Sequence, residues 1–217
     1  MSRHLQRDMD RLKKEILQLG DMVETAINNA ILSLNDRRPE LAELVIEEEK
    51  YIDEKEVSIE EDCLKILALH QPVAMDLRFI VVVLKVNNDL ERMGDIAVNV
   101  AQRALFLASK EPIPTPTDFT EIMSVNIRTM VRSSLDAMVK LDVDLARRVI
   151  AMDNEVDDIN RQMYVEFQTQ VEKDPSTIKR ALGLLSTSRN LERIADLATN
   201  IAEDVIFMVE GEVVRHK

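Results

Sequence analysis

Asp89-Leu-Glu-Arg-Met-Gly-Asp-Ile-Ala-Val-Asn-Val-Ala101 returns later in the chain as Asn190-Leu-Glu-Arg-Ile-Ala-Asp-Leu-Ala-Thr-Asn-Ile-Ala202. Glu91, Arg92, Asp95, Ala97, Asn99 and Ala101 each meet an identical residue at one constant offset. In both copies a glutamate, an aspartate and an asparagine stand at i, i+4 and i+8, which is one face of an α-helix. Like charges at that spacing repel and weaken an isolated helix. Two copies of the arrangement in one chain point to something positive set against it.

A repeat of this length in 217 residues predicts two small modules, or one domain of two similar halves. Aromatics are 3%, tryptophan is absent and glycine occurs only four times, a composition of helical bundles rather than sheets. Small halves still fold when helices pack along most of their length. Proline punctuates the chain, because it is tolerated in the first turn of a helix and breaks the interior. Pro39, Pro72 and Pro175 then open helices, and Pro112, Pro114 and Pro116 mark a stiff extended connector. The expected fold is all-α: two tandem three-helix bundles, residues 1–110 and 118–217, joined by the linker 111–117. The six helices are expected at about 3–35, 39–70, 73–109, 118–140, 143–172 and 175–210.

Capping and periodicity support this division. Thr117 or Asp118 can cap the fourth helix, Asp142 the fifth and Asp174 the sixth. Leu5, Met9, Leu12, Ile16, Leu19, Val23 and Ile27 form one stripe of the first helix. No stretch alternates with period two between turn signals, so no sheet is expected. The duplication also reaches beyond the motif: Met22-Val23 matches Met130-Val131, Val45-Ile46 matches Val149-Ile150, and Asp53 matches Asp157. The offset drifts by a few residues, which places the length changes in turns. The first helix outruns the fourth and needs neighbours along its extra length.

The net charge of −12 argues against nucleic acid and against anionic membrane surfaces as partners, and suits cations or a basic protein patch. Cys63 is the single cysteine, in keeping with a reducing compartment. The opening residues lack the apolar core of a signal peptide, and the longest apolar run, Phe79 to Leu84, is far too short to span a bilayer. The expected location is the cytoplasm, without membrane insertion.

Glu91, Asp95 and Asn99 fall within about 80° of one another around the third helix. Leu77, Val81 and Leu84 precede them on that face and Phe106 follows, so the stripe is expected to interrupt an apolar, core-facing side. Ile178, Leu182 and Leu185 lead in the same way to Glu192, Asp196 and Asn200, followed by Phe207. Gly94 beside Asp95 permits a backbone or ligand to come close. The second and fifth helices carry further acid pairs, Glu49 with Asp53 and Asp153 with Asp157, again at i, i+4. In antiparallel hairpins closed near Pro72 and Pro175, each pair lies as far below the turn as its partner pair lies above it. Each half is therefore expected to gather four carboxylates, with Asn99 and Asn200 as flanking donors.

Four converging carboxylates in partial burial require protonation, basic partners or a metal. His4, His70 and His216 stand at helix ends or termini, away from the stripes. An all-oxygen set suits Mg, Ca, Mn or ferric iron, disfavours zinc, and lacks the Glu-x-x-His pattern of ferritin-like bundles. The competing readings are an ion-pair network through Arg92, Arg193, Arg103, Lys85, Arg189 and Arg161, and a plain solvated face. Cys63 reads as a small buried hydrophobe, the eleven methionines read as core filling, and no phosphate-cradling glycine loop or nucleophile–base pair is present, so no catalytic residue is assigned.

The doubled Asp/Asn-Leu-Glu-Arg-Ile/Met-Gly/Ala-Asp-x-Ala-x-Asn-Ile/Val-Ala motif, in two three-helix halves, resembles the PhoU family over essentially the whole chain. The resemblance implies a cytoplasmic, often dimeric regulator of bacterial phosphate transport. Its implied partners are the transporter ATPase and the phosphate-sensing histidine kinase, and its implied effect is restraint of uptake and signalling. The family's metal motifs, iron among their ligands' cargo, carry onto Glu49, Asp53, Glu91, Asp95, Asp153, Asp157, Glu192 and Asp196. Asn190 for Asp89 and Ala195 for Gly94 imply that the second site differs from the first. The alternative is a carboxylate-bridged metalloenzyme or metal store.

Overall fold

The computed structural model describes residues 3–211, and long helices account for most of them. The first half holds α1 (Arg3–Asn35), α2 (Pro39–His70) and α3 (Ala74–Ala108), and the second holds α4 (Ser124–Lys140), α5 (Val143–Lys173) and α6 (Ile178–Glu210). No strand occurs among the described residues, and His216 lies outside them. The expected six-helix, all-α organisation stands, with bounds that agree to within three residues except at the start of α4, which was expected at 118.

The two cap predictions that involve aspartate before a helix hold. Asp142 accepts from the Leu145 amide at 2.9 Å and Asp174 from the Ser176 amide at 3.0 Å. The expected cap of the fourth helix does not form. Thr117 makes no side-chain cap, and the chain enters through a π-helical turn, Asp118–Met123, that takes Asp118 into itself. With so few glycines available, tight turns fall on other residues: Arg37, Gln71 and Leu141 all adopt positive φ. Each such residue costs roughly 1–2 kcal/mol, which the surrounding packing must offset.

The α1 stripe from Leu5 to Ile27 is buried throughout. The part of α1 that α4 lacks is covered by the far ends of α2 and α3. There His70 hydrogen-bonds Asp8 at 2.9 Å, Arg11 pairs with Asp62 at 3.0 Å, and Lys13 lies 5.4 Å from the Phe79 ring centre. Gly20 lets α1 close on α4, since a side chain there would collide with Leu135.

The halves meet along α3 and α6. Lys85 reaches the buried Asp204 at 2.9 Å near one end, and Leu107 packs beside Gly183 near the other, so the two helices run antiparallel. Because the repeat maps α3 onto α6, an antiparallel seam relates the halves by a near-two-fold axis close to Gly94 and Ala195. The linker is strapped across the end of this seam. Arg37 donates to the Ala108 carbonyl at 2.9 Å and the Lys110 carbonyl at 2.5 Å, and Arg180 donates to the Glu111 carbonyl at 3.1 Å.

Candidate functional site

In the first half, the α2–α3 hairpin turns at the buried Pro72 and brings two acid pairs into one groove. Glu49 and Glu91 are half-buried there, while Asp53 and Asp95 stand exposed at the rim. Burial first, then the charges of Asp95 and Asp53, then a hydrogen bond with Asp95, raise the Glu49 carboxyl above its ordinary value. Glu91 is raised by burial and by Asp95, Asp53 and Glu56, with Arg92 opposing. The mutual influence of these groups shows the two helices placing their acids at one level.

The α5–α6 hairpin repeats the arrangement more tightly. Burial, then Asp196, Asp157 and Glu192, push Asp153 up to about 6. Glu192 is raised by burial, Asp196 and Asp157, against Arg189 and Arg193. Asp196 is raised by burial and Asp157, against Arg193. One oxygen of Asp153 is buried without a hydrogen-bond partner, a costly state for a charged atom.

Glu56 belongs to the first groove and was not among the residues singled out from the sequence. It lies seven residues after Glu49 and three after Asp53, on the same helical face, and that spacing was the signal. The Asn87 amide donates to the Glu56 backbone carbonyl at 2.9 Å and to its carboxylate at 3.0 Å, which ties α3 to α2. The second half has the same tie without the charge: Ser188 donates to the Asn160 side chain at 2.8 Å. The first groove therefore carries five acids and the second four.

Other expected features fall differently. The apolar lead-ins face the core only in part: Leu77, Val81, Ile178 and Leu182 are exposed, whereas Leu84, Leu185, Phe106 and Phe207 pack partly buried against it. α3 and α6 are the central helices, so their buried arc is wide and takes in Val82, Val83, Val86, Leu90 and Met93, leaving the acid stripe on the groove edge. Asn99 donates to the Asp95 carbonyl of its own helix at 2.9 Å, and Asn200 lines a cleft between α3 and α6 with Asn88 and Arg92. A side chain on Gly94 would meet Ile52 at 3.2 Å, so the glycine serves helix packing rather than ligand access. At the corresponding places the second half has Ala195 and Val156, the larger residue on one helix balanced by a smaller one on the other.

The candidate counter-ions divide between the grooves and other acids: Arg92 acts on Glu91, and Arg189 and Arg193 act on Glu192. Lys85 binds Asp204, and Arg92 lies 3.7 Å from Asp89. Arg161 pairs with Asp158 and reaches Asp157 at 3.4 Å, which adds a rim cation to Arg189 and Arg193 at the second groove. Cys63 is fully buried, and burial pushes its thiol up to about 12, as suits an inert core residue.

The donor chemistry fits a hard cation: oxygen ligands alone, raised carboxyls, and a buried Asp153 oxygen without a partner. Among the described residues no three acids or histidines stand as a ready-made ligand set.

Two helical halves of one plan, each with an acidic groove, define a class of helical repeat protein. Residues 16–104 and 120–205 each match the PhoU domain, and the chain belongs to that family. It is 41% identical, over 97% of its length and 95% of the other's, to the phosphate-specific transport system accessory protein PhoU homolog of Aquifex aeolicus. The crystal structure of PhoU from Pseudomonas aeruginosa superposes with a TM-score of 0.92 at 37% identity, covering 95% of this chain and 99% of that one. The phosphate transport system regulatory protein PhoU from Streptococcus pneumoniae superposes at 0.89 with 28% identity, over 97% and 99%.

Proposed function

We propose that this protein is a regulatory accessory protein of a phosphate transport system, which restrains uptake and phosphate signalling by contacting the transporter ATPase and the sensor kinase. The names and near-complete coverage of its relatives support the first part of that reading. The convergence of two acid pairs in each half is the observation that carries the rest. Glu49, Asp53, Glu91 and Asp95 would hold cation in the first groove, with Glu56 beside them, and Asp153, Asp157, Glu192 and Asp196 in the second. A cation bound there would offset the mutual repulsion of the carboxylates and lower the negative charge of the groove surface. The residues themselves fix the spacing of α2 from α3 and of α5 from α6, and so the shape presented to a partner. The expected cargo is iron, Mn, Mg or Ca, the expected setting the cytoplasm, and the expected assembly a homodimer.

The test couples metal content to capture. Wild type and an Asp95→Ala/Asp196→Ala double variant are purified without chelator, analysed for bound metal, and immobilised with the transporter ATPase or the sensor kinase in solution. Wild type is expected to carry metal and retain both partners, and the double variant to lose most of the metal and weaken capture. Equal metal in both proteins would remove the proposed cation sites. Failure of metal-loaded wild type to retain either partner would remove the proposed docking role.

A further inference from the structure

The halves share a plan, and one departure leaves an opening in the first. A cleft of about 370 Å³ lies between α1 and α2, floored by Met22, Ala26, Val45 and Ile52 and rimmed by Asp21, Glu48 and Tyr51. It lies roughly a third of a turn around α2 from Glu49 and Asp53, so it is separate from the acidic groove. At the matching places the second half has Met130, Ser134, Val149 and Val156, all fully buried, and Met152 stands where the first half has Glu48. Asn126 donates to Glu155 at 2.8 Å and ties α4 to α5 over that spot. One apolar side chain and one hydrogen bond thus close in the second half what stays open in the first. Met22 and Ala26 remain half-exposed in consequence. The fold tolerates methionine at this place, as Met152 shows, so an acid at Glu48 is not a requirement of helix packing.

The rim selects the occupant. Asp21 and Glu48 are exposed and have no ion-pair partner among the described residues. Tyr51 is 49% exposed, and the Lys50 ammonium lies 4.9 Å from its ring centre, so the ring face already accepts a cation. Partly exposed aromatics beside an apolar floor are the usual anchors of protein interfaces. At this rim an anionic surface would meet the like charges of Asp21 and Glu48, whereas a basic segment would meet opposite ones.

We infer that the α1–α2 cleft of the first half docks a basic amphipathic segment of a partner protein. An aliphatic or aromatic side chain enters between Met22 and Ile52, and flanking lysine or arginine side chains meet Asp21, Glu48 and the Tyr51 ring. The second half has no equivalent site, so the partner binds one half only.

The probe is a synthetic helix of about 15 residues with leucines along one face and lysines beside them, compared with the same helix carrying glutamate for lysine. Binding to the full chain is read by fluorescence anisotropy, and the Met22 methyl resonance is followed in methionine-labelled protein. The lysine helix is expected to bind and shift Met22, and to weaken about tenfold in Glu48→Met and in Ala26→Leu. The glutamate helix is expected not to bind. Melting curves show whether each variant is folded; Glu48→Met is expected to melt at or above wild type. Equal affinity of folded Glu48→Met and wild type would overturn the proposal, as would binding that leaves Met22 unmoved or no binding at all. A self-association of wild type that Glu48→Met abolishes would also overturn it, by showing that a second copy covers the cleft.

Discussion

Asp153 concentrates the physical conflict of the site in one residue. Its carboxyl titrates at about 6 in the fold against an ordinary 3.8, so the protonated form is the one the fold favours. The associated stability is complete below the ordinary value and is lost as pH rises through about 6. Metal-free protein is therefore expected to melt higher at about pH 5 than at about pH 7. Asp153→Asn should raise metal-free stability near neutral pH by on the order of 1 kcal/mol, after allowance for its partial exposure, and should shrink the pH dependence. An unchanged melting profile in that variant would show that water already screens the groove. Gly94 makes a second prediction at this scale. Gly94→Ala gains helix propensity but crowds Ile52, for a net loss of about 1 kcal/mol, and Ile52→Val in the same chain should recover most of it. Additive losses in the double variant, measured by denaturant unfolding, would count against the compensation seen in Ala195 and Val156. The acids were legible from i, i+4 spacing alone, because a helix converts spacing into direction. Gly94 was legible as a close approach but not as to what approached, since the side chain it faces lies on another helix.

At the scale of the helix pair, the tie between Asn87 and Glu56 sets how α3 sits on α2. Asn87→Ala removes both bonds from one side-chain amide and should cost about 2 kcal/mol, whereas Ser188→Ala removes a single bond and should cost about 1. Hydrogen exchange should show the larger loss of protection confined to α2 and α3, and equal costs in the two halves would deny the tie its role. The helices themselves were readable because proline, aspartate caps and a 3.6-residue period all agree. The start of the fourth was not, because a π-helical turn differs from an α-helical one by a single hydrogen-bond register, to which composition is blind. The mistaken orientation of Leu77 and Val81 has a related cause. A central helix touches several neighbours, so its buried arc is broader than one stripe, and periodicity alone cannot say which apolar edge is left outside.

For the molecule as a whole, the α3–α6 seam decides whether two bundles act as one body. Lys85 crosses it to a carboxylate with 3% of its side chain exposed. Lys85→Met keeps the packing and removes the charge, with an expected loss of about 2 kcal/mol; a change smaller than about half a kcal/mol would show that the remaining contacts of Asp204 suffice. The repeat announced that there would be two halves. How they associate was hidden, because a duplication specifies each unit and says nothing of which faces meet. That same seam makes the covalent link between the halves mechanically dispensable. Severing the chain between Ile113 and Pro114 leaves the contacts of Lys85 with Asp204 and of Leu107 with Gly183 in place, so the two fragments, produced as separate polypeptides, should find each other and rebuild a heterodimer. The protein would then serve as a split reporter, in which reassembly of two fragments signals that α3 and α6 have met.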